Sequence, residues 1–447
     1  MNHLFSRRDY LFLLCALAMV LWFGQEMVWG GKLPFFRDLG TYFYPMRFSL
    51  AESFKARELP LWDRHTGMGF PLLADFQSGT FYPPHLFYFF LPFFSALSAI
   101  FLFHYAVAAT GAYSLCRHWN YSPQVALVGA ILFTLGGTTV SLTNLLNHFQ
   151  TAVWLPWILF FGERCLSSQS WRSFLALVLI LLLQFLAGSP EFYAMSLAIL
   201  LLDGLRLKAD DTNVNYRKIL FLFGAANVLV IALAMVQILP TIELIRESRA
   251  RRSIGFGEAT AWSLHPFQLI NLFFLDKEVD LARLPPLRPF FVPKVPFLVS
   301  QYLGALAPLG ILCWFYYVSR KEKVFLSALV AISLLLAAGG YTPLYSALLR
   351  YVPFFSLFRF PEKFFFVTYA LLVFVVLRGF FCFLDSDRSS KLPLLLGALV
   401  FLFFSLLYIY FRLDSWPLSH FIVWATGNPG LATAGFTFVL EIGRAHV

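Results

Sequence analysis

The 447-residue sequence is 59% hydrophobic, 19% aromatic and only 13% charged, and its mean hydropathy is +0.71. An ordinary soluble domain is about 45–50% apolar and about 25% charged, so the composition argues against a water-soluble enzyme. The net charge of +10 is scattered through loops rather than gathered in one stripe, which argues against nucleic acid as a partner.

An all-α polytopic transmembrane bundle is the fold class that follows, since a span needs about 20 apolar residues and such runs recur along the chain. Residues 1–29 form the first: Met1–Arg8 precede an apolar run from Tyr10 to Val28. That order resembles a signal peptide, but no small-x-small cleavage site follows, so an uncleaved span is expected. Residues 30–85 then form a first extracytoplasmic loop. Within it, Leu39–Lys55 carries Phe43, Met46, Phe48, Leu50 and Phe54 amid polar residues, the pattern of an amphipathic helix on the membrane surface.

Residues 86–240 hold transmembrane helices 2–7, with runs at 86–115, 124–142, 151–166, 172–187, 190–204 and 219–240. The two short runs within 151–187 also read as one long tilted helix, or as a helix and a re-entrant piece. Residues 241–300 form a second long outer loop, whose Glu243, Arg246, Glu247, Arg249, Arg251 and Arg252 read equally as a solvated helix face. Residues 301–411 supply helices 8–11, with runs at 301–318, 324–339, 364–384 and 393–411. The total is about ten or eleven spans. Residues 412–440 are expected to begin a truncated C-terminal region, because Glu441–Val447 matches the peptide encoded by a common sequencing-library adapter.

Charge asymmetry supports this order. With Arg7 and Arg8 inside, Arg117, Arg164, Arg172, Arg206, Lys208, Arg217, Lys218, Arg320, Lys321, Lys323, Arg388 and Lys391 all fall on the cytoplasmic side, as the positive-inside rule requires. The opposite turns, Thr143–Gln150 and Ala187–Glu191, contain no Lys or Arg. The five cysteines lie in or beside apolar segments without a C-x-x-C pair, so neither zinc nor a disulfide framework is indicated. Nucleotide-binding and serine-hydrolase signatures are missing from the sequence.

Polar residues cluster at four places on the expected outer side. The first is Arg37-Asp38 with Tyr42, Tyr44-Pro45-Met46 and Arg47; an acid this near a membrane exit can meet a reactive group at headgroup depth, though Asp38 also suits a helix N-cap. In the second, dense Gly and Pro around Asp63, His65, Asp75 and Gln77 imply a fixed loop able to surround a polar ligand. A divalent cation on Asp63, His65 and Asp75 is conceivable, at a spacing that is not diagnostic. The third is Gly188-Ser189-Pro190-Glu191; a carboxylate at membrane depth is a functional candidate, with a helix-start role beside Pro190 as competitor. In the fourth, Arg359 and Lys363 flank Pro361; if Pro361 opens a helix, the two cations stand one turn apart, facing a phosphate or serving as interfacial anchors.

Asp38 with Tyr44-Pro45-Met46-Arg47, Leu59-Pro60-Leu61-Trp62-Asp63, the string from Gly69 to Gly79, Phe81-Tyr82-Pro83-Pro84, Gly188-Ser189-Pro190-Glu191 and Arg359-Phe360-Pro361-Glu362-Lys363 together resemble the bacterial YfhO-type membrane protein family. That family is similar to GT-C glycosyltransferases, which take sugars from polyprenyl-phosphate donors. The resemblance implies a GT-C-like fold in the bacterial cytoplasmic membrane, N-terminus cytoplasmic, with Asp38 as catalytic base. The departing phosphate needs positive charge, expected from Arg359 and Lys363, or else from Arg47 with the Arg249–Arg252 group, and the expected acceptor is an envelope glycan, lipid or protein. The family turn often carries His and Gln where this chain has Ser189 and Glu191. Tyr42, Asp63, His65, Asp75, Gln77 and Glu191 would shape the site. A transporter or flippase of lipid-linked glycans is the alternative.

Overall fold

The computed structural model describes residues 6–168, 170–210, 214–248, 255–273, 297–352, 355 and 358–385. The chain divides into two compact units, Met1–Ile254 and Gly255–Val447. Among the described residues the structure is helical, and the one β-type pairing is a bridge between Asp63 and Phe70. The expected span at 393–411, the residues 412–447, and Arg249, Arg251, Arg252, Arg388 and Lys391 lie outside the described residues.

In the first unit, α1 (Arg7–Phe23) starts at a reciprocal cap, Ser6 accepting from the Asp9 backbone while the Asp9 carboxylate accepts from Ser6. Such a box satisfies two backbone donors that a helix start leaves open. Gly24 ends α1, and a short α2 (Gln25–Val28) follows. After an irregular stretch come a π-helical turn, Leu39–Phe43, and α3 (Tyr44–Lys55). The loop that follows runs to α4 (Phe87–Phe90), and Pro92 separates this from α5 (Phe93–His118).

Next are α6 (Pro123–Leu135), α7 (Gly137–Leu142), α8 (Leu146–Ala152), α9 (Leu155–Ser168), α10 (Trp171–Leu186), α11 (Pro190–Asp210), α12 (Tyr216–Leu233) and α13 (Met235–Glu247). Ser122 and Ser170 cap α6 and α10, and Asn215 caps α12. α5 packs against α1, α6 and α9, while α10 packs against α9 and α12. The reading of 151–187 as one long tilted helix is therefore corrected: Ser170 restarts the chain, and α9 and α10 fold back on each other as a hairpin.

Charged side chains fasten the first unit. Asp9 accepts from Tyr113 Oη at 2.9 Å and pairs with Arg117, joining α1 to α5. Glu163 on α9 accepts from Trp119 Nε1 at 2.8 Å and from Arg206 Nη2 of α11 at 2.9 Å, and His118 lies 3.3 Å away. Arg206 also reaches Asp203 at 2.7 Å.

The second unit comprises α14 (Phe256–Ala259), a 3-10 segment Pro266–Leu272, α15 (Ala307–Tyr317), α16 (Arg320–Ala337), α17 (Pro343–Tyr351) and α18 (Phe365–Leu384). Gly310 on α15 faces Gly379 on α18, so the two backbones approach closely, as small residues allow between membrane helices. Arg378 pairs with Glu322 at 2.9 Å and ties α18 to α16.

Four described stretches are long and apolar enough to cross a membrane: Phe93–His118, Pro123–Leu142, Tyr216–Leu233 and Pro361–Leu384. Trp171–Leu186 and Ala307–Tyr317 are shorter apolar helices. Length and composition of these helices are those of a helical membrane protein. Several expected runs are broken where the sequence carries a breaker: 10–28 at Gly24 and 86–115 at Pro92. The run 219–240 divides at Ala234, ahead of the Pro240 that lies inside α13.

Candidate functional site

Asp38 stands at the entry to the π-helical turn, directly after Arg37, whose φ of 48° lies in the left-handed region. A non-glycine residue there is strained, and such strain persists only where surrounding structure holds it. Asp38 occupies the N-cap position, yet its side chain makes no cap hydrogen bond. The carboxylate is exposed and has no hydrogen-bond or ion-pair partner among the described residues. Phe35 and Gly40, on either side of it in the chain, line a cleft of about 660 Å³ completed by Gly31, Leu33, Tyr44, Pro45, Phe48, His65, Phe93 and Phe94. Five of the ten lining residues are thus Phe or Tyr, and His65 and Tyr44 are the ionisable ones.

The helix expected over Leu39–Lys55 is present, but it is packed into protein rather than laid only on a surface. Phe43, Met46, Leu50 and Ala51 are buried together, at the spacing of one helix face. Arg47 lies on that same face and is 0% exposed. Its Nη2 donates to the Gln77 carbonyl at 3.2 Å and to Gln150 Oε1 at 3.3 Å, while Nε and Nη1 have no hydrogen-bond partner among the described residues. Burial pushes the guanidinium below its usual range, opposed by Tyr88, Tyr42 and Asp75 around it. Arg47 is therefore an enclosed cation, not one presented at a surface.

The first three sequence clusters converge. Tyr42 Oη donates to Asp75 Oδ2 at 2.7 Å, and Asp75 Oδ1 caps the 3-10 turn Phe76–Ser78 by accepting from Gln77 N at 3.0 Å. Asn147 Nδ2 joins Gln77 Oε1 at 3.3 Å to the Gly188 carbonyl at 3.0 Å. Gly188 has φ +99°, and a Cβ there would lie 2.8 Å from the Phe76 carbonyl oxygen; only glycine lets the two turns close on each other. Next to it, Ser189 Oγ and His148 Nδ1 are 2.8 Å apart. Glu191 sits in the first turn of α11, after Pro190, the helix-start position.

His85 completes this network from the loop side. Its Nδ1 lies 2.7 Å from the Gly79 carbonyl and its Nε2 3.1 Å from Gln150 Nε2, so the tautomer donates through Nδ1 and accepts at Nε2. Burial and the nearby Arg47 charge hold its pKa well below 6.5, which fits that neutral form.

Asp63 and His65 play other parts. Asp63 accepts from Ser49 Oγ at 2.7 Å, His65 N at 2.8 Å and Thr66 Oγ1 at 2.5 Å. Burial raises its carboxyl, but these donors outweigh it and hold the pKa below the usual carboxylate value. His65 Nε2 pairs with Glu52 at 2.6 Å in an exposed position. Among the described residues no three His, Cys, Asp or Glu side chains converge as metal ligands, so Asp63, His65 and Asp75 are not brought together as the sequence allowed.

A scan of protein-family models, a search of curated proteins and a search of solved structures each return no match. The functional reading therefore rests on residues and geometry.

In the second unit, Phe360 has φ 64° and donates its N–H to the Ala259 carbonyl at 3.0 Å. This left-handed residue breaks helical continuity between Arg359 and Lys363, and Pro361 opens a 3-10 turn, Pro361–Phe364, ahead of α18. The two cations thus do not share one helix face. Arg359 pairs with Glu258 at 3.3 Å in an exposed position. Lys363 is buried, its Nζ 5.2 Å from the Phe360 ring centroid and 5.8 Å from that of Phe297. Glu362, also buried, accepts from Phe297 N and Leu298 N, each at 3.3 Å, and from Gln301 Nε2 at 3.0 Å.

Sequence reasoning missed Asn147, His148 and Gln150, because Thr143–Gln150 reads as a short turn. They lie instead in or beside the buried helix α8. The available signal was a run of hydrogen-bonding side chains inside an apolar stretch, which is expensive in a membrane unless each finds a partner.

Proposed function

We propose that this chain is an integral membrane glycosyltransferase of about ten or eleven spans. It moves a sugar from a polyprenyl-phosphate donor to a cell-envelope acceptor at the extracytoplasmic face of a bacterial cytoplasmic membrane. The observation that carries the reading is an exposed carboxylate, Asp38, without a partner among the described residues, whose chain neighbours Phe35 and Gly40 line an aromatic cleft of about 660 Å³. An apolar wall beside a base suits a lipid-borne substrate, whose hydrocarbon is kept out of water while its head group meets the carboxylate.

Asp38 removes the proton of the acceptor hydroxyl while that oxygen attacks the anomeric carbon. The bond from this carbon to the phosphate oxygen breaks, polyprenyl phosphate departs, and the anomeric configuration inverts. The leaving phosphate requires positive charge. Within the first unit the cation available to this step is the enclosed Arg47; Arg359 and Lys363 belong to the second unit. Tyr42, one turn after Asp38, is held by Asp75, which caps the turn carrying Gln77, and Glu191 follows the Gly188 turn that packs on Phe76 and Gln77.

Membranes carrying Asp38→Asn and supplied with a lipid-linked sugar are expected to lose transfer by about 10²–10⁴-fold, the usual contribution of a general base. Undiminished transfer would remove Asp38 from the mechanism. Adding a chelator to the same assay tests the divalent cation. A flippase for the same glycan would leave the donor bond intact, so a glycosylated acceptor recovered from purified protein separates the two activities.

A further inference from the structure

α3 ends in a left-handed turn that serves a second purpose. The Arg57 N–H bonds the Phe54 carbonyl at 3.1 Å and the Glu58 N–H bonds the Ser53 carbonyl at 2.9 Å, with Arg57 at φ 61°. This bond pair normally places glycine at the left-handed residue. An arginine there projects a charged side chain at the cost of backbone strain.

Beyond the turn, residues 59–69 make a small braced finger. Asp63 and Phe70 exchange two backbone hydrogen bonds, at 2.7 and 2.9 Å, and the donors on Asp63, Ser49 of α3 among them, fix the base. The finger nevertheless turns its apolar side chains outward: Leu59 is 68% exposed, Leu61 59%, Trp62 52% and Met68 103%. Lys55, Arg57 and Arg64 around them are exposed too, against one exposed acid within residues 57–69, Glu58. At the finger's base, His65 lines the same cleft as Phe93 and Phe94, the first residues of a helix long enough to cross a membrane. The finger's base therefore lies beside the first turn of that helix, where the ring of Phe94 is exposed.

We propose that residues 57–69 are a preformed interfacial anchor for anionic phospholipid. Leu59, Leu61, Trp62 and Met68 enter the headgroup layer, where amphipathic aromatic rings are favoured. Lys55, Arg57 and Arg64 meet the lipid phosphates. The inference needs the chain to lie in a bilayer but not the chemistry of sugar transfer, and its test reads lipid contact alone.

The full chain, with its native cysteines replaced and Met68→Cys carrying an environment-sensitive fluorophore, is reconstituted into phosphatidylcholine vesicles with and without phosphatidylglycerol. Acrylamide quenching is expected to fall on the order of tenfold when phosphatidylglycerol is present. Adding Arg57→Gln and Arg64→Gln should cancel most of that gain. Equal quenching in the two vesicle types, or no response to the arginine replacements, would overturn the recognition of anionic lipid. A tip that stays fully water-accessible in both, as for a surface awaiting a soluble protein, would overturn the anchor altogether. In the unaltered chain, photoreactive phosphatidylglycerol should crosslink within residues 59–69 in preference to photoreactive phosphatidylcholine, and crosslinks found only elsewhere would likewise refute it.

Discussion

Asp63 uses both carboxylate oxygens on its own turn, whereas Asp38, in the same segment between α2 and α4, has no partner among the described residues. Asp63→Ala is therefore expected to cost about 1–3 kcal/mol by orphaning buried donors, seen as a lower thermal midpoint and faster proteolysis of residues 59–70. Asp38→Asn should leave that midpoint unchanged. His85 gives a pH signature. Its folded pKa is depressed below 6.5, so the unfolded chain binds the extra proton first as pH falls. Stability is then full above 6.5 and declines below it, by about 1.4 kcal/mol per pH unit until the folded pKa is reached. Thermal melts at pH 7.5 and 5.5 should show this loss, and His85→Gln should shrink it.

At the scale of elements, helix positions were largely legible, because apolar length and Ser or Asn caps are local signals. The seams between them were less so: Gly24, Pro92 and Ala234 divide runs that hydropathy alone treats as continuous. Arg47 marks the deeper limit. Periodicity identifies Phe43, Met46 and Leu50 as one face and assigns a charge to the other, yet the partners that bury Arg47 are Gln77 and Gln150, distant in sequence. For the same reason the contact of the Gly188 turn with Phe76–Gln77 could not be foreseen from either turn alone. Gly188→Ala should cost about 2–4 kcal/mol, since it adds a strained φ to a backbone clash; a midpoint within a degree of the parent would contradict the packing.

The whole first unit is fastened by two separate polar systems. One is the network from Tyr42 to Ser189, and the other comprises the ion pairs on Asp9 and Glu163. Arg206 separates two carboxylates, Glu163 and Asp203, so Arg206→Ala should destabilise the unit by about 3 kcal/mol, measured by heat-induced loss of helix in detergent. The expected topology is checked by cysteines at Ser170 and Pro190, the two ends of the α10 hairpin, which should be labelled from opposite sides of sealed vesicles. The double fastening also bears on how the molecule can work. Carriers that admit cargo alternately from each side must part their helices first at one mouth and then at the other. A first unit fastened by two separate polar systems resists that rocking, a resistance that the proposed transferase tolerates and a carrier does not.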